Sequence, residues 1–334
     1  MIRILPALLL TITLGCSQKG SEIQTEADSL PSWNEGISKN AIKSFVKGAV
    51  TDGSPVFIKE EDRIAVFDND GTLWSEKPIY FQLYFMIDHI QKLAPEHPEW
   101  QEIEPFKSVL EENFPRIASY GKEGLLKLLA ASHENYTSEE FQSMVKDWVN
   151  KSKHPQTGKK FTEMVYQPML EVLDLLKQNG FKTYIVSEGG IEFVRPLASM
   201  VYNIPPEQVI GSSIKQVLNA NDSDELSIQN SQHEKVSYIQ EHIGKKPVAV
   251  FGNSDDDLDV MLYSDEQEGL NFQLFVHHTD SVREWAYDSV SHVGRLKQGF
   301  SRVLDKGWIL ADIAKDWNII YPVELELDTA KVIQ

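Results

Sequence analysis

The chain has a single cysteine, a shortage of positive charge and no hydrophobic run of membrane-spanning length. Cys16 is the only cysteine among 334 residues, which excludes intrachain disulfides and thiolate metal sites. Lys and Arg number 32 against 50 Asp and Glu, a net charge of −18, and this argues against nucleic-acid binding. Hydrophobic residues make up 41% and charged residues 25%, which is typical of a globular protein and excludes disordered, fibrous and polytopic membrane chains. A small phosphorylated substrate remains compatible, because one lysine or metal ion can reverse the local field.

The first sixteen residues have the pattern of a bacterial export signal. Arg3 precedes an apolar run over 4–14, which Gly15 and Cys16 follow. The run is too short to span a bilayer as a helix, but it suits the core of a signal peptide. A small residue before a lone cysteine is similar to the lipobox of bacterial lipoproteins, whose cysteine is lipidated and becomes the new N-terminus. We expect a signal peptide over 1–15 and an extracytoplasmic protein, anchored through lipid on Cys16 to a bacterial membrane, facing the periplasm or in the outer membrane. The alternative is an ordinary secretory signal with an incidental cysteine.

The sequence after Cys16 divides into a polar segment and an alternating pattern of strands and helices. Residues 16–40 are rich in Ser, Gln, Glu and Gly, which predicts a flexible tether. Helical patterns alternate with short apolar runs that predict buried strands; these runs lie at 63–67, 182–186, 248–251 and 272–276. The alternation favours an α/β class fold, a Rossmann-like doubly wound parallel sheet covered on both faces.

Residues 79–160 interrupt this pattern with an all-helical stretch. A capping box, Thr137 with Glu140, opens one of its helices. The nearby aromatic residue Tyr80 is interpreted as packing within the stretch. We therefore predict a core over 41–78 and 161–334 with a helical insertion over 79–160.

Three polar clusters, at 68–72, 187–190 and 252–257, each follow a predicted strand. The carboxyl ends of parallel strands meet at one edge of a sheet, where ligands bind. Residues that are far apart along the chain are therefore expected to form one site.

The first cluster places two carboxylates, Asp68 and Asp70, on either side of Asn69 and before Gly71. Close carboxylates repel each other unless a cation lies between them. Oxygen ligands on a compact loop suit Mg²⁺. The alternative is an Asp-rich turn without a ligand.

These clusters resemble the motifs of the haloacid dehalogenase superfamily of hydrolases. The segment 67–73, Phe-Asp-Asn-Asp-Gly-Thr-Leu, resembles the first motif; Ser187, Lys235 and the segment 252–257 resemble the second, third and fourth, in the expected order. Ser-Glu-Gly-Gly at 187–190 is most similar to the phosphoserine phosphatase-like subgroup, which carries a helical cap between its first two motifs. The stretch from Ser-His-Val-Gly-Arg at 291–295 onward resembles extracytoplasmic members of that subgroup.

The resemblance implies an Mg²⁺-dependent phosphatase that hydrolyses small phosphomonoesters. Asp68 would be the nucleophile that becomes an aspartyl-phosphate, and Asp70 would protonate the leaving oxygen and later activate water. Ser187, with its neighbours Glu188 and Gly189, would bind the phosphoryl group, and Lys235 would neutralise charge on that group and on Asp68. Partners would be a small phosphorylated metabolite and, through the lipid, a membrane; no nucleic acid and no protein partner is indicated.

The resemblance also implies a metal site made by Asp68, the backbone carbonyl of Asp70 and the fourth motif. Asn253 stands where the family often has Asp. The order of preference for the remaining ligand is therefore Asp257, then Asn253, then Asp255. A calcium loop over 255–259 is disfavoured because no Gly follows at its sixth position, and an Asp-rich helix start is the structural alternative.

Glu76 and Lys77 lie just beyond the first motif and are candidates for substrate specificity. Two other functions remain open. A dehalogenase would use the nucleophile without needing Asp70, and a catalytically silent lipoprotein would act as a binding module.

Lipidation can be tested at Cys16. The Cys16→Ser variant is expected to be released as soluble protein or to keep its signal uncleaved, because stable anchoring needs the acyl chains. Membrane fractionation and the mass of the mature N-terminus measure the outcome. A variant that is processed normally and stays in the membrane would contradict the assignment.

Overall fold

The computed structural model describes residues 28–134, 136–218, 224–229 and 235–325. The predicted signal peptide over 1–15 and Cys16 lie outside them. The described strands are β1 (Ile64–Phe67), β2 (Lys182–Gly190), β3 (Val209–Leu218), β4 (Asp224–Gln229), β5 (Ala249–Gly252), β6 (Phe272–His277) and β7 (Ile309–Asp312). They form one sheet in the order β4-β3-β2-β1-β5-β6-β7. Six strands run parallel and β4 pairs antiparallel with β3.

Helices connect the strands and cover the sheet. They are α1 (Ile37–Val50), α2 (Phe81–Leu93), α3 (Phe106–Leu110), α4 (Phe114–Ser119), α5 (Gly121–His133), α6 (Ser138–Lys151), α7 (Gln167–Gln178), α8 (Ile191–Val201), α9 (Lys235–His242), α10 (Leu258–Asp265), α11 (Gln298–Lys306) and α12 (Ile313–Asp316). The predicted fold class, a doubly wound parallel α/β sheet, is confirmed. Among the described residues, no helix combines the length and apolar character needed to cross a membrane.

The central strand β1 is buried on both faces of the sheet. Ala65 and Phe67 belong to one hydrophobic cluster, while Ile64 and Val66 belong to another. This separation follows from the two-residue period of a strand, which sends alternate side chains to opposite faces. Phe67 stacks on Phe251 of β5, with 4.3 Å between ring centroids. Because both faces of β1 are buried, the strand needs consecutive apolar residues instead of an alternation of apolar and polar ones.

Six described helices, α2 to α7, lie between β1 and β2, and five of them, α2 to α6, fall within the predicted helical insertion. Thr137 and Glu140 form the predicted capping box at the start of α6. The insertion packs on the core through aromatic side chains, with Phe85 lying 5.6 Å from Phe193 and Trp148 lying 4.3 Å from Phe161 between ring centroids. The boundaries of the insertion as a domain stay a prediction.

The flexible tether predicted over 16–40 is wrong for its last part. Leu30 is fully buried and Trp33 is 2% exposed, and α1 already begins at Ile37. The Trp33 indole packs edge-on against Trp317 at 5.8 Å, and its N–H donates to the Pro168 carbonyl oxygen at 2.9 Å. Two isolated apolar residues in a polar segment give no periodic signal, although they anchor it to the core.

The anchoring role of Trp33 can be measured by unfolding. Trp33→Ala is expected to lower the free energy of unfolding by about 3–5 kcal/mol, because it removes a buried ring and leaves a cavity. Ile37→Ala, at a side chain that is 82% exposed, is the control and should change stability by less than about 0.5 kcal/mol. Equal midpoints for both variants in chemical denaturation would show that residues 30–36 do not stabilise the fold.

Candidate active site

Neighbouring strand ends place the predicted polar clusters at one edge of the sheet. β1 lies between β2 and β5, with Phe67 level with Ile185 on one side and with Phe251 on the other. The next residue, Asp68, donates its backbone N–H to the Phe251 carbonyl oxygen at 2.9 Å. Because the three strands are parallel, the polar segments that follow them leave the sheet side by side.

Lys235 joins the first and third of these segments through two ion pairs. It begins α9, and its side chain is 3% exposed. Nζ lies 3.2 Å from Asp68 Oδ1 and 3.0 Å from Asp257 Oδ1. Burial lowers the pKa of Lys235, but the carboxylates of Asp257, Asp68 and Glu188 raise it by more, to well above its usual value. The lysine therefore remains charged and orients the Asp68 carboxylate.

Both carboxylate oxygens of Asp257 already accept hydrogen bonds. Oδ1 accepts from Lys235, and Oδ2 accepts from the backbone N–H groups of Asn253 at 3.0 Å and Ser254 at 3.2 Å. The residue is 3% exposed. Asp257 thus positions Lys235 and closes the turn that follows β5.

A tight turn orients Asp70. Gly71 has a φ of +72°, a left-handed conformation that favours glycine, and a Cβ there would lie 2.0 Å from Asn253 Nδ2. The Gly71 N–H donates to the Trp74 carbonyl oxygen at 2.8 Å, and the Trp74 indole N–H donates to Asp70 Oδ1 at 2.7 Å. Burial raises the pKa of Asp70 to about 6, although the Trp74 hydrogen bond lowers it. Asp70 is therefore protonated for part of the time near neutral pH.

Glu76 is buried at the point where three segments meet. Its Oε1 accepts from Asn253 Nδ2 at 2.8 Å and from the Tyr287 hydroxyl at 2.7 Å. A Cβ on Gly294 would lie 1.8 Å from the same oxygen, so only glycine allows that segment to approach. Burial raises the pKa of Glu76 to about 7, against the opposing effects of His278 and of the Tyr287 hydrogen bond.

His278 is hydrogen-bonded to the turn that follows β1. Its Nε2 lies 2.8 Å from the Gly71 carbonyl oxygen, and its Nδ1 lies 3.2 Å from Glu284 Oε2. The Tyr287 ring stacks on the imidazole, with 4.3 Å between centroids. Since both ring nitrogens face acceptors, both donate at once only in the doubly protonated ring. Sequence reasoning missed the pairing of His278 with Glu284, because no spacing connects either residue to Gly71.

The second polar segment, 187–190, was predicted to follow a strand, but it is the carboxyl-terminal part of β2 itself and forms one side of the site. Ser187 is 1% exposed, and its Oγ accepts the Gly189 N–H at 3.0 Å. Burial raises the pKa of Glu188 to about 7. The Gly190 N–H donates to Gln82 Oε1 at 2.8 Å, so α2 of the insertion contacts this segment directly.

Lys77, predicted as a specificity candidate, is bound elsewhere. Its Nζ donates to the Ser291 hydroxyl and to the Val293 carbonyl oxygen at 2.8 Å. It also lies 4.0 Å from the centroid of the Tyr287 ring. The side chain therefore fastens the segment around 287–293 to the start of the insertion.

Asp255, the third candidate for the metal, caps a helix. Its Oδ1 accepts the backbone N–H groups of Lys297, Gln298 and Gly299 at 2.9, 2.7 and 2.9 Å, at the start of α11. These are the N–H groups that a helix leaves without partners, and a carboxylate there also complements the helix dipole. The arrangement accounts for Oδ1, whereas Oδ2 is buried, accepts no hydrogen bond and lies 3.6 Å from Arg295 Nε.

A cavity of about 430 Å³ lies between this edge of the sheet and the insertion. Six of the predicted residues line it, namely Asp68, Asp70, Glu76, Glu188, Gly189 and Lys235. Ser187, Asn253 and Asp257 are buried against these lining residues. Tyr80 also lines the cavity, so its interpretation as a packing residue is wrong. His292 and Val293 line it as well. The sequence identified these two only as part of the stretch that resembles extracytoplasmic family members.

Carboxylates outnumber cations at the cavity. Asp68, Asp70, Glu76, Glu188 and Asp256 line it, whereas Lys235 is the only lysine or arginine among its described lining residues. Burial raises the pKa of Asp68 well above its usual value, as do the charges of Asp257 and Asp70, and Lys235 only partly offsets this. Within the described part of the chain, no three or more His, Cys, Asp or Glu side chains are grouped to hold a metal ion. A metal here would also need backbone, amide or water oxygens.

Comparisons with known proteins give one family and several distant structures. A family model described as haloacid dehalogenase-like hydrolase matches residues 65–262, more than half of the chain. No curated protein matches. Three of the similar solved structures illustrate the likeness. A conserved protein of unknown function from Anaerococcus prevotii is 17% identical, with TM-score 0.44 and coverage of 73% of this chain and 86% of that chain. A phosphoserine phosphohydrolase-like protein from Francisella tularensis is 21% identical, with TM-score 0.36 and coverage of 64% and 87%. Cytosolic 5'-nucleotidase IIIB bound to cytidine is 12% identical, with TM-score 0.40 and coverage of 82% and 85%.

The capping role of Asp255 can be separated from a metal role. Asp255→Ala is expected to lower the free energy of unfolding by about 1–2 kcal/mol through loss of the cap. The concentration of Mg²⁺ needed for half-maximal activity should stay unchanged. Asp305→Ala, at an exposed position of the same helix, is the control and should alter neither quantity. A large rise in the Mg²⁺ requirement of Asp255→Ala alone would identify it as a ligand.

Proposed function

The chain belongs to the haloacid dehalogenase-like hydrolases, and we propose that it is an Mg²⁺-dependent phosphatase which hydrolyses small phosphomonoesters. The observation that carries the proposal is the meeting of Asp68, Asp70 and Lys235 at one cavity. These residues are a nucleophile, a proton donor and a fixed positive charge. Such a set suits attack on a phosphorus atom followed by departure of an alcohol.

Asp68 supplies the attacking oxygen. Lys235 holds Oδ1 at 3.2 Å, which leaves Oδ2 to form the new bond to phosphorus while the ester P–O bond breaks. The fixed ammonium group also stabilises negative charge on the phosphoryl oxygens without reorganising during the reaction. The hydroxyl of Ser187, which is 1% exposed, would donate to one of those oxygens.

Asp70 moves the protons. With its pKa raised to about 6 by burial, a useful fraction carries the proton that the leaving oxygen needs. The resulting carboxylate then removes a proton from the water that attacks the aspartyl-phosphate, and this releases inorganic phosphate and restores Asp68. The Trp74 hydrogen bond fixes the orientation of the carboxyl group for both steps.

The excess of buried carboxylates fits a divalent cation. Asp68, the backbone carbonyl of Asp70 and the amide oxygen of Asn253 would hold Mg²⁺, with water completing the shell. Both oxygens of Asp257 accept hydrogen bonds, from Lys235 and from two backbone N–H groups, whereas Asn253 Oδ1 accepts one, from the Thr72 hydroxyl at 3.2 Å. These contacts favour Asn253 over Asp257, the reverse of the order expected from the sequence. When bound, the metal would neutralise charge on the phosphoryl group.

The lipid anchor and the extracytoplasmic location are the parts of the proposal that rest on the sequence alone. The pattern that ends at Cys16 supports them.

The geometry of the site bears on the two rival functions. A dehalogenase would have no use for a proton donor at Asp70, and a silent binding module would have no use for a charged lysine held against Asp68. The oriented Asp70 and Lys235 therefore favour the phosphatase over both alternatives.

The roles of the two aspartates predict different losses. Asp68→Asn should abolish turnover and the phospho-enzyme. Asp70→Asn should lose about 10²–10⁴-fold on alkyl phosphates, the usual contribution of general acid–base catalysis, and much less on p-nitrophenyl phosphate, whose leaving group needs little protonation. Steady-state rates and mass spectrometry of acid-quenched protein measure both effects.

Asp52→Asn, at an exposed carboxylate, is the matched control and should keep wild-type rates. EDTA should remove turnover, and Mg²⁺ should restore it. Wild-type turnover by Asp68→Asn, or a phosphoryl group on Ser187, would contradict the mechanism.

A further inference from the structure

The insertion presents an apolar wall to the nucleophile. Six aliphatic side chains form it: Ile79, Leu83, Met86, Ile117, Leu125 and Leu129. They come from the start of the insertion and from α2, α4 and α5. We propose that the leaving group is an uncharged apolar alcohol or phenol; this inference rests on the phosphatase function proposed above.

The side chains of the wall form one packed surface and are not separate residues exposed by chance. Met86 is 2% exposed, and Ile117 and Leu129 are 7% exposed, so their side chains are fixed by packing. Leu125, at 41% exposed, completes the side facing the cavity. A preformed apolar wall with few polar groups is the usual architecture of a site for an apolar ligand.

The charges of the cavity disfavour a leaving group with a second anionic group. Among the described lining residues, Lys235 is the only lysine or arginine, and it is held by Asp68 and Asp257 beside the expected phosphoryl group. The carboxylates of Glu188 and Asp256 also line the cavity. A carboxylate or second phosphate of the substrate would lose its hydration there without gaining a counter-ion.

Polyhydroxyl leaving groups also fit poorly. Each sugar hydroxyl placed against the aliphatic wall would lose a hydrogen bond to water without replacing it. Gln82, which α2 contributes to the cavity, already accepts the Gly190 N–H through Oε1. The wall therefore selects against leaving groups whose hydroxyls would face the aliphatic side chains, although polar groups such as Tyr80 and Ser254 line other parts of the cavity.

A second cavity gives room for a longer leaving group. Its volume is about 910 Å³, and it shares Leu129, Gly190 and Ser212 with the first. The stacked rings of His97 and Trp100, 4.2 Å apart between centroids, lie on its border. The lining of this second cavity is mixed, since Trp100 and Phe106 lie there together with Glu99, Glu134 and Glu192. A leaving group that passes Leu129 would therefore gain room and aromatic contacts, but not a wholly apolar environment.

A series of phosphate esters tests the inference on the wild-type protein. From ethyl to hexyl phosphate, kcat/KM should rise about fourfold for each added methylene that is buried. Hexyl phosphate should also exceed 5-carboxypentyl phosphate, which has similar length and a terminal negative charge, by at least about tenfold. It should exceed 5-aminopentyl phosphate by a smaller factor, because the carboxylates of the cavity attract the terminal ammonium group. A flat alkyl series, or a preference for either charged ester, overturns the proposal.

A charge introduced into the wall provides a gain-of-function test. Leu125→Lys, at a partly exposed position where folding is little affected, should move the ratio of kcat/KM for 5-carboxypentyl over hexyl phosphate upward by about tenfold. Leu304→Lys, at a side chain that is 78% exposed on α11 and outside the cavity, is the control and should leave the ratio unchanged. Equal ratios in both variants would show that the wall does not contact the leaving group.

The two levels of the proposal fail in different ways. If no ester is hydrolysed in a reaction that requires Asp68, the phosphatase function is wrong. If esters are hydrolysed through Asp68 but phosphoserine or glucose 6-phosphate exceeds hexyl phosphate, the phosphatase function stands and the apolar leaving group is wrong.

Discussion

One buried ammonium group, shared by two carboxylates, organises the site. Lys235 reaches Asp68 and Asp257 from the start of α9, and so connects segments that three separate stretches of chain supply. Desolvation cancels much of the attraction in a buried ion pair, so the pair adds little net stability, although removing one partner costs about 3–5 kcal/mol. The ion pair matters because it fixes the positions of the carboxylate oxygens. The lysine fixes which oxygen of Asp68 is held and which is free, and this distinction separates a nucleophile from a structural carboxylate.

The segment after β6 forms a second level of support around this pair. His278 holds the carbonyl of Gly71, Tyr287 donates to Glu76, and the backbone near Gly294 approaches Glu76 so closely that a side chain would not fit. Catalytic and supporting groups therefore come from opposite ends of the folded chain. The turn that carries Asp70 is therefore held on several sides, since the Gly71 carbonyl oxygen is bonded to His278 and a Cβ on Gly71 would have no room beside Asn253 and Glu76.

The sequence predicted those parts that depend on strong local patterns. Buried parallel strands appear as apolar runs with polar residues at one end, and that rule alone places Asp68 beside the segment after β5. It does not distinguish Asp255 from Asp257, because both follow the same strand and the decision depends on the start of α11, about forty residues later. Trp33 gave no signal because an isolated aromatic residue has no period to detect. The strand β7 is as short as β1 and β5, which were predicted, but it lies at the edge of the sheet and is only partly buried, so its sequence is not a distinct buried run. Long-range hydrogen bonds and isolated anchors therefore account for most of what the sequence did not show.

The contact between the Trp33 region and the Trp317 region has a consequence for biosynthesis. Asn34 Nδ2 donates to the Lys315 carbonyl oxygen at 2.7 Å across 281 positions of the chain, so this corner of the core closes only when nearly all of it has been made. At a protein-synthesis rate of about 5–20 residues per second, the segment around Trp33 is made on the order of 15–60 s before the segment around Trp317. During that interval an indole and a leucine that are buried in the folded protein remain exposed to chaperones and proteases. A chain that stops before β7 would lack Trp317, the ring against which Trp33 packs, and could not close this corner of the core.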